Sequence, residues 1–195
     1  GLVFKNYLAK HETRQTEISA QQTSAAWETL LADSQLRLAW FAQQTTGNPN
    51  LLKAMRRGDA NALLAATQQQ LPEMRQYFGI SHWYFIKPDQ KVLLRVHEPD
   101  RRGDPIERKT LTDASTSQQP RSGLELGPLG TYTLRYVIPW HDHGQLIGYI
   151  ELGMEVEWFA RQIEQLTHLE ILTAVHKAYT SEANFSQGKM ALGLS

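Results

Sequence analysis

Apolar and polar residues alternate along four stretches of this chain, each bounded by turn formers. Residues 82–86 (His-Trp-Tyr-Phe-Ile) run through Lys87-Pro88-Asp89-Gln90 into residues 92–97 (Val-Leu-Leu-Arg-Val-His). Residues 132–140 and 145–153 flank His141-Asp142-His143-Gly144 in the same way. Their richness in β-branched and aromatic residues predicts two hairpins. Side chains along a strand point alternately to opposite faces. Val92, Leu94 and Val96 therefore fall into one set, with Leu134, Tyr136, Ile138 and Trp140, and with Leu146, Gly148, Ile150 and Leu152. That face is apolar. The opposite face mixes apolar residues with Arg95, His97, Arg135, Tyr149 and Glu151. It is either solvated surface or the floor of a polar pocket.

Outside these stretches the period changes from two to that of a helix. Residues 6–45 hold no Gly or Pro and are rich in Ala, Gln, Glu and Leu, which predicts a helix of roughly forty residues, about 60 Å long. Its first half is polar nearly all round. In its second half Trp27, Leu31, Ser34, Leu38 and Phe41 form one stripe, as in a stalk entering a domain. Gly47-Asn48-Pro49 ends it. A short helix follows over residues 51–57, and Asp59 is placed to cap the next. There Leu64, Thr67, Leu71, Met74 and Phe78 form a second stripe that Pro72 should kink or break near Leu71, with Gly79 closing it. Residues 98–130 begin as a charged loop over the sheet, followed by a short helix at 110–117 and a short strand at 124–126. After Gly153, Val156, Phe159, Ile163 and Leu166 recur at helical spacing; a strand at 171–175 and a weak helix at 181–190 complete the reading.

Composition narrows the function. Twenty basic and twenty acidic residues cancel, without the basic stripe of a nucleic-acid binder. Cysteine is absent, so disulfides, thiolate metal sites and thiol catalysis are excluded. No run of eighteen apolar residues is present to span a membrane. The abrupt apolar residues at both termini suggest a segment of a larger, membrane-anchored protein. There is no nucleophile elbow, phosphate-cradling Gly loop or two-His zinc helix, so no enzyme is indicated. His141-Asp142-His143 reads as a hairpin turn, and no metal or cofactor is expected.

Arg95 and Arg135 are the sharpest chemical feature, both mid-strand on the polar face. A buried guanidinium needs a partner. Glu151 and Asp104 are internal candidates; a bound carboxylate, which suits the planar fork, is another. The ligand reading takes the two arginines, from neighbouring strands, as one clamp in a shared hollow. Arg135→Ala should then abolish binding and leave the fold intact.

Taken in order, several of these residues resemble a Cache domain, the PAS-like extracytoplasmic sensor of bacterial chemoreceptors, sensor kinases and diguanylate cyclases. The residues are Trp83-Tyr84-Phe85-Ile86, Leu94-Arg95-Val96-His97, Pro99, Gly103-Asp104, Ile106 and Arg108, then Gly123-Leu124-Glu125-Leu126-Gly127, Leu134-Arg135, Pro139-Trp140 and Gly148-Tyr149-Ile150-Glu151-Leu152-Gly153. The double-Cache branch is the more similar, with a minimal or truncated second module. The resemblance implies an α+β fold in which a long N-terminal helix packs on a PAS-like five-stranded antiparallel sheet, ending in a small strand-helix remnant. It implies a dimerisation stalk at 1–46, a ligand module at 47–157 and a membrane-proximal remnant at 158–195.

It further implies a pocket lined by Tyr84, Arg95, His97, Asp104, Arg108, Glu125, Arg135, Tyr149 and Glu151. The ligand would be a small anion or zwitterion, a carboxylate most simply, or an amino acid if Glu151 or Asp104 faces inward. Homodimers with the N-terminal helices side by side would signal by small shifts of those helices, from the periplasm across the inner membrane. The competing expectation is a ligand-free structural or dimerisation module.

Overall fold

The computed structural model describes residues 2–127 and 132–167, with side chains from residue 21 to residue 165. The expected strand at 171–175 and helix at 181–190, and with them the strand-helix remnant, lie outside the described residues. Helix α1 (Leu2–Thr46) is the long stalk. It leads through α2 (Pro49–Arg56), α3 (Ala60–Thr67) and α4 (Leu71–Phe78) to β1 (Ile80–Ile86) and β2 (Val92–Arg95). Then come α5 (Lys109–Ser117), β3 (Arg121–Leu126), β4 (Tyr132–Asp142), β5 (Gln145–Glu155) and α6 (Val156–Thr167). The sheet is antiparallel, in the order β2-β1-β5-β4-β3. This is the α+β, PAS-like arrangement expected from the sequence. No described helix is long and apolar enough to cross a membrane.

Local chemistry sets the helix ends. Asn48 closes one helix and opens the next, its Oδ1 accepting from the Asn50 N–H at 2.9 Å. Asp59 does the same for α3 through the Ala62 N–H at 2.9 Å. The interruption expected near Leu71 comes earlier, after Thr67, so that Pro72 lies in the first turn of α4, where a missing N–H costs nothing. Gly79 leaves α4 in the left-handed conformation, as a C-terminal glycine should.

Both faces of the sheet are covered. On one side Leu38, Met55, Leu63, Met74, Trp83, Phe85, Leu94, Leu134, Trp140, Ile150, Leu152 and Phe159 join α1–α4 and α6 to the sheet. On the other, Tyr84, Ile86, Val92, Val137 and Tyr149 pack under Ile106, Leu111 and Ala114 from α5 and the segment before it. Strict alternation placed Val92 with Leu94 and Val96, but Val92 belongs to the second cluster. A register shift between Phe85 and Ile86 resets the β1–β2 pairing by one residue. Leu146 also changes side, beside a shift between Trp140 and His141. An irregularity of this kind moves every side chain beyond it to the opposite face.

The segment after His97 folds along the outer edge of β2 instead of lying across the sheet. Gly103 N–H donates to Val92 O at 2.9 Å, Val92 N–H to Asp104 O at 3.0 Å, and Ile106 N–H to Gln90 O at 3.1 Å. This covers an edge that would otherwise expose unpaired backbone. It also brings Asp104 beside Arg95. At the far hairpin His143 and Gly144 form a two-residue turn, both with positive φ (48° and 81°), the geometry that follows strand twist.

Gly148 lets β5 lie close against β1 and α2. A Cβ there would lie 2.3 Å from Ile86 O and 2.2 Å from Met55 Cε, on a backbone with φ of 150°. Gly148→Ala is therefore expected to lower stability by about 2–3 kcal/mol, from backbone strain and overpacking together. Urea denaturation monitored by circular dichroism measures it.

Candidate functional site

The charged residues of the second face, with Tyr84, form one continuous network across all five strands. Arg95, on β2, is 2% exposed and grips Asp104 with two bonds of 2.7 Å, from Nη1 to Oδ1 and Nη2 to Oδ2. A third bond of 2.7 Å runs from Nη1 to the Arg101 carbonyl. The two-bond fork holds the Asp104 carboxyl down to about 2. Next to Arg95 across the sheet is Tyr84, whose ring lies between guanidinium groups: Arg95 at 5.3 Å and Arg108 at 4.9 Å from its centroid.

Glu151 sits at the centre of the face, on β5 opposite Tyr84 of β1 and Val137 of β4. It is 0% exposed. Its Oε1 accepts from Arg135 Nη1 at 2.6 Å and from Arg108 Nη1. Arg108 also donates from Nη2 to the Tyr84 hydroxyl at 3.2 Å. On the far side, Glu125 of β3 lies 3.7 Å from Arg135 Nε and accepts the Thr110 N–H at 2.7 Å, in the first turn of α5. Four polar atoms of this cluster are buried without a hydrogen-bond partner: Glu151 Oε2, Glu125 Oε2, Arg135 Nε and Thr110 Oγ1. Native interiors rarely leave such atoms unpaired unless a water or ligand completes them.

Two histidines complete the same face. His97 stands edge-on to Tyr84 at 4.8 Å and to His82 at 4.7 Å. The Trp83 N–H donates to His97 Nδ1 at 3.3 Å, so the neutral ring carries its proton on Nε2. Burial, reinforced by Arg95 and Arg135, lowers the His97 imidazole to about 3. Burial, with Arg135, His97 and Arg108 close by, also holds His82 well below the usual histidine range. His82 was not among the residues expected from the sequence. Alternation along β1 puts it on the face of Tyr84, two residues on, and its pairing with Gly153, across from Arg135, brings it to the site.

Of the nine expected residues, Tyr84, Arg95, His97, Asp104, Arg108, Glu125, Arg135 and Glu151 lie in this network. Tyr149 shares the face but sits deeper under α5, its hydroxyl donating to Ser115 Oγ at 3.1 Å. The idea of one two-arginine clamp does not survive. β1 and β5 separate Arg95 from Arg135, a backbone distance of about 14 Å at ~4.8 Å per strand. Each arginine instead has a carboxylate of its own. Arg135→Ala would also lower stability, because removing one member of a buried ion pair costs ~3–5 kcal/mol. In the His141-Asp142-His143 triplet, His141 contacts Gln118 at 3.0 Å, Asp142 pairs with Arg56 at 2.6 Å, and His143, in the exposed turn, lies 3.6 Å from Asp142.

A PAS-like sheet with a charged, roofed face and a long entering helix defines a Cache sensor domain. The chain belongs to the dCache_3 family, described as a double sensory domain of two-component sensor kinases, which matches residues 14–191. Solved structures share the fold at low identity. The sensor domain of the Vibrio cholerae histidine kinase DctB superposes with a TM-score of 0.62 at 15% identity, over 77% of this chain and 58% of that one. The Escherichia coli DcuS sensor domain gives 0.56 at 14%, over 69% and 97%. The ligand-binding domain of the Campylobacter jejuni chemoreceptor Tlp3, in complex with 4-methylisoleucine, gives 0.55 at 14%, over 73% and 58%. A domain of a sensory box/GGDEF family protein from Vibrio parahaemolyticus gives 0.59 at 15%, over 76% and 63%. Like the DctB and Tlp3 domains, it is spanned over only about three fifths of its length. No curated protein matches the sequence.

The histidines give the domain an acid sensitivity of definite sign. Both imidazoles bind protons more weakly in the fold than in the unfolded chain, whose histidines titrate near ~6.5. The unfolded chain thus takes up more protons below that pH. Stability is full above it and declines through the acid range, for His97 down to about 3. Urea denaturation should show a loss between pH 7 and pH 5 that His97→Gln reduces. An equal loss in the variant would assign the effect to other groups.

Proposed function

We propose that this domain is the extracytoplasmic sensor of a bacterial inner-membrane receptor. It binds a small polar molecule over the charged face of its sheet. The observation that carries this reading is the cluster of buried, unpartnered polar atoms around Glu151. A self-sufficient salt-bridge network would leave no such set (compare Arg95 and Asp104, which satisfy one another). Because Glu151 faces inward, an amino acid or other zwitterion is favoured over a simple carboxylate. The ligands named for related sensors are consistent with this, the Tlp3 domain having been solved with 4-methylisoleucine.

The route out of the site is short. Glu151 lies on β5, which passes into α6 with no residue between Glu155 and Val156. α6 in turn packs on α1, with Trp27 against Phe159 at 6.1 Å and Arg37 over the Trp158 ring at 5.3 Å. A ligand that prefers one of two placements of β5 biases the α1–α6 pair by its difference in affinity, typically ~1–3 kcal/mol. That bias would pass through the membrane to a cytoplasmic output domain.

A thermal-shift screen of amino acids and carboxylates tests the assignment. A ligand at 100 times its Kd should stabilise the domain by ~2.7 kcal/mol, and Tyr84→Phe should weaken the response. A screen with no shift for any compound would leave the ligand-free reading in its place.

The ligand-free alternative has its own support. Leu36 and Trp40 are 72% and 56% exposed, one turn apart on α1. We take them as the face on which two copies of α1 meet. Sedimentation should show a dimer that Trp40→Glu converts to monomer. A dimer of unchanged strength in the variant would place the contact elsewhere.

A further inference from the structure

Among the three guanidinium groups of the site, Arg108 is the exception. Arg95 and Arg135 come from strands, and each side chain is 3% exposed. Arg108 precedes the first residue of α5, outside the sheet, and its side chain is 19% exposed. It therefore lies between the buried carboxylates and solvent. Its head occupies a cation seat: over the face of Tyr84 at 4.9 Å, bonded to the Tyr84 hydroxyl, and paired with Glu151. The side chain can leave this seat by rotation about its own bonds, without moving a strand.

What remains without Arg108 is decisive. Glu125 and Glu151 bring two negative charges, and Arg135 supplies one positive charge between them. His82 and His97 are neutral. Arg95 and Asp104 cancel one another. The vacated seat would thus carry one uncompensated negative charge in a largely dry environment, a large cost unless a cation enters. The unpartnered atoms point the same way. Glu125 Oε2 and Arg135 Nε face one another at 3.7 Å, which leaves Glu151 Oε2, able only to accept, and Thr110 Oγ1, able to accept as well as donate. The site lacks donors.

We propose that Arg108 is a built-in occupant of the ligand site, and that the true ligand carries an ammonium or guanidinium head that displaces it. The head would take the Arg108 position on the Tyr84 ring and donate to Glu151, whose Oε2 is without a hydrogen-bond partner. Arg108 would swing toward solvent, releasing the only tie between the segment preceding α5 and Glu151 among the described contacts. The inference rests on the reading of this face as a small-molecule site and narrows its ligand to cations and zwitterions. It also inverts a sign. A side chain that merely lines a pocket weakens binding when removed, whereas an occupant strengthens it.

The experiment titrates agmatine, putrescine and propionate by calorimetry into the wild-type domain and Arg108→Ala. Agmatine or putrescine should bind Arg108→Ala at least tenfold more tightly than wild type, and Glu151→Gln should lose that binding. Propionate should bind neither protein. Weaker amine binding by Arg108→Ala, or propionate binding that depends on Arg108, would overturn the exchange. Where Arg108→Ala fails to fold, as judged by circular dichroism, Arg108→Gln takes its place. The Arg108 Nε–H resonance of wild type gives an independent readout. It should move to a solvent-exposed position under saturating agmatine, and an unmoved resonance overturns the proposal. Two failures are distinguishable. Shifts with carboxylates or amino acids but no amine binding to either protein sink the exchange alone, while silence toward every compound sinks the small-molecule site as well.

Discussion

A carboxylate with no access to water sits at the middle of this sheet, and the rest of the charged face is arranged around it. Glu151 cannot remain ionised there without compensation, since an isolated buried charge costs far more than the whole domain is worth in stability. Arg135 answers it from β4 and Arg108 from the segment before α5. Glu125 in turn balances Arg135 and ties β3 to α5 through the Thr110 N–H. One residue thus links strand, neighbouring strand and roof.

Such a network gives little net stability, because desolvation offsets much of the attraction. Its value lies in specificity and in being incomplete. The Arg95–Asp104 pair is saturated and fixes the edge segment to β2. The Glu151 cluster is not saturated, and four of its polar atoms lack partners. A closed pair thus stands beside an open cluster on one face. The apolar half of the same face, under Ile106, Leu111 and Ala114, anchors α5 on the sheet.

The faces of the sheet also divide labour. The helical side packs α1 and α6 against one another and against β4 and β5, so a displacement of β5 is felt directly by both. Gly148 lets the Ile86 carbonyl come close to β5, and Gly153 leaves room for the side chains of His82 and Thr133 on either side of it. Dense packing of this kind transmits shifts instead of absorbing them.

Periodicity in the sequence determined the element order, the five strands, the stalk and the placement of Arg95, Arg135 and Glu151 on one face. Those features follow from local rules: strand alternation, the absence of Gly and Pro through the stalk, and capping by Asn48 and Asp59. The sequence could not show that Val92 and Leu146 would change sides, because the register shifts near them depend on which strands pair and where. Nor could it show that Arg95 and Arg135 stand with two strands between them, since strand order is a property of the sheet and not of any one strand. Arg108 came to rest on Glu151, and His82 came beside Arg135, through contacts between residues distant in the chain. Charge and alternation are written locally; which charge meets which is decided when the sheet closes.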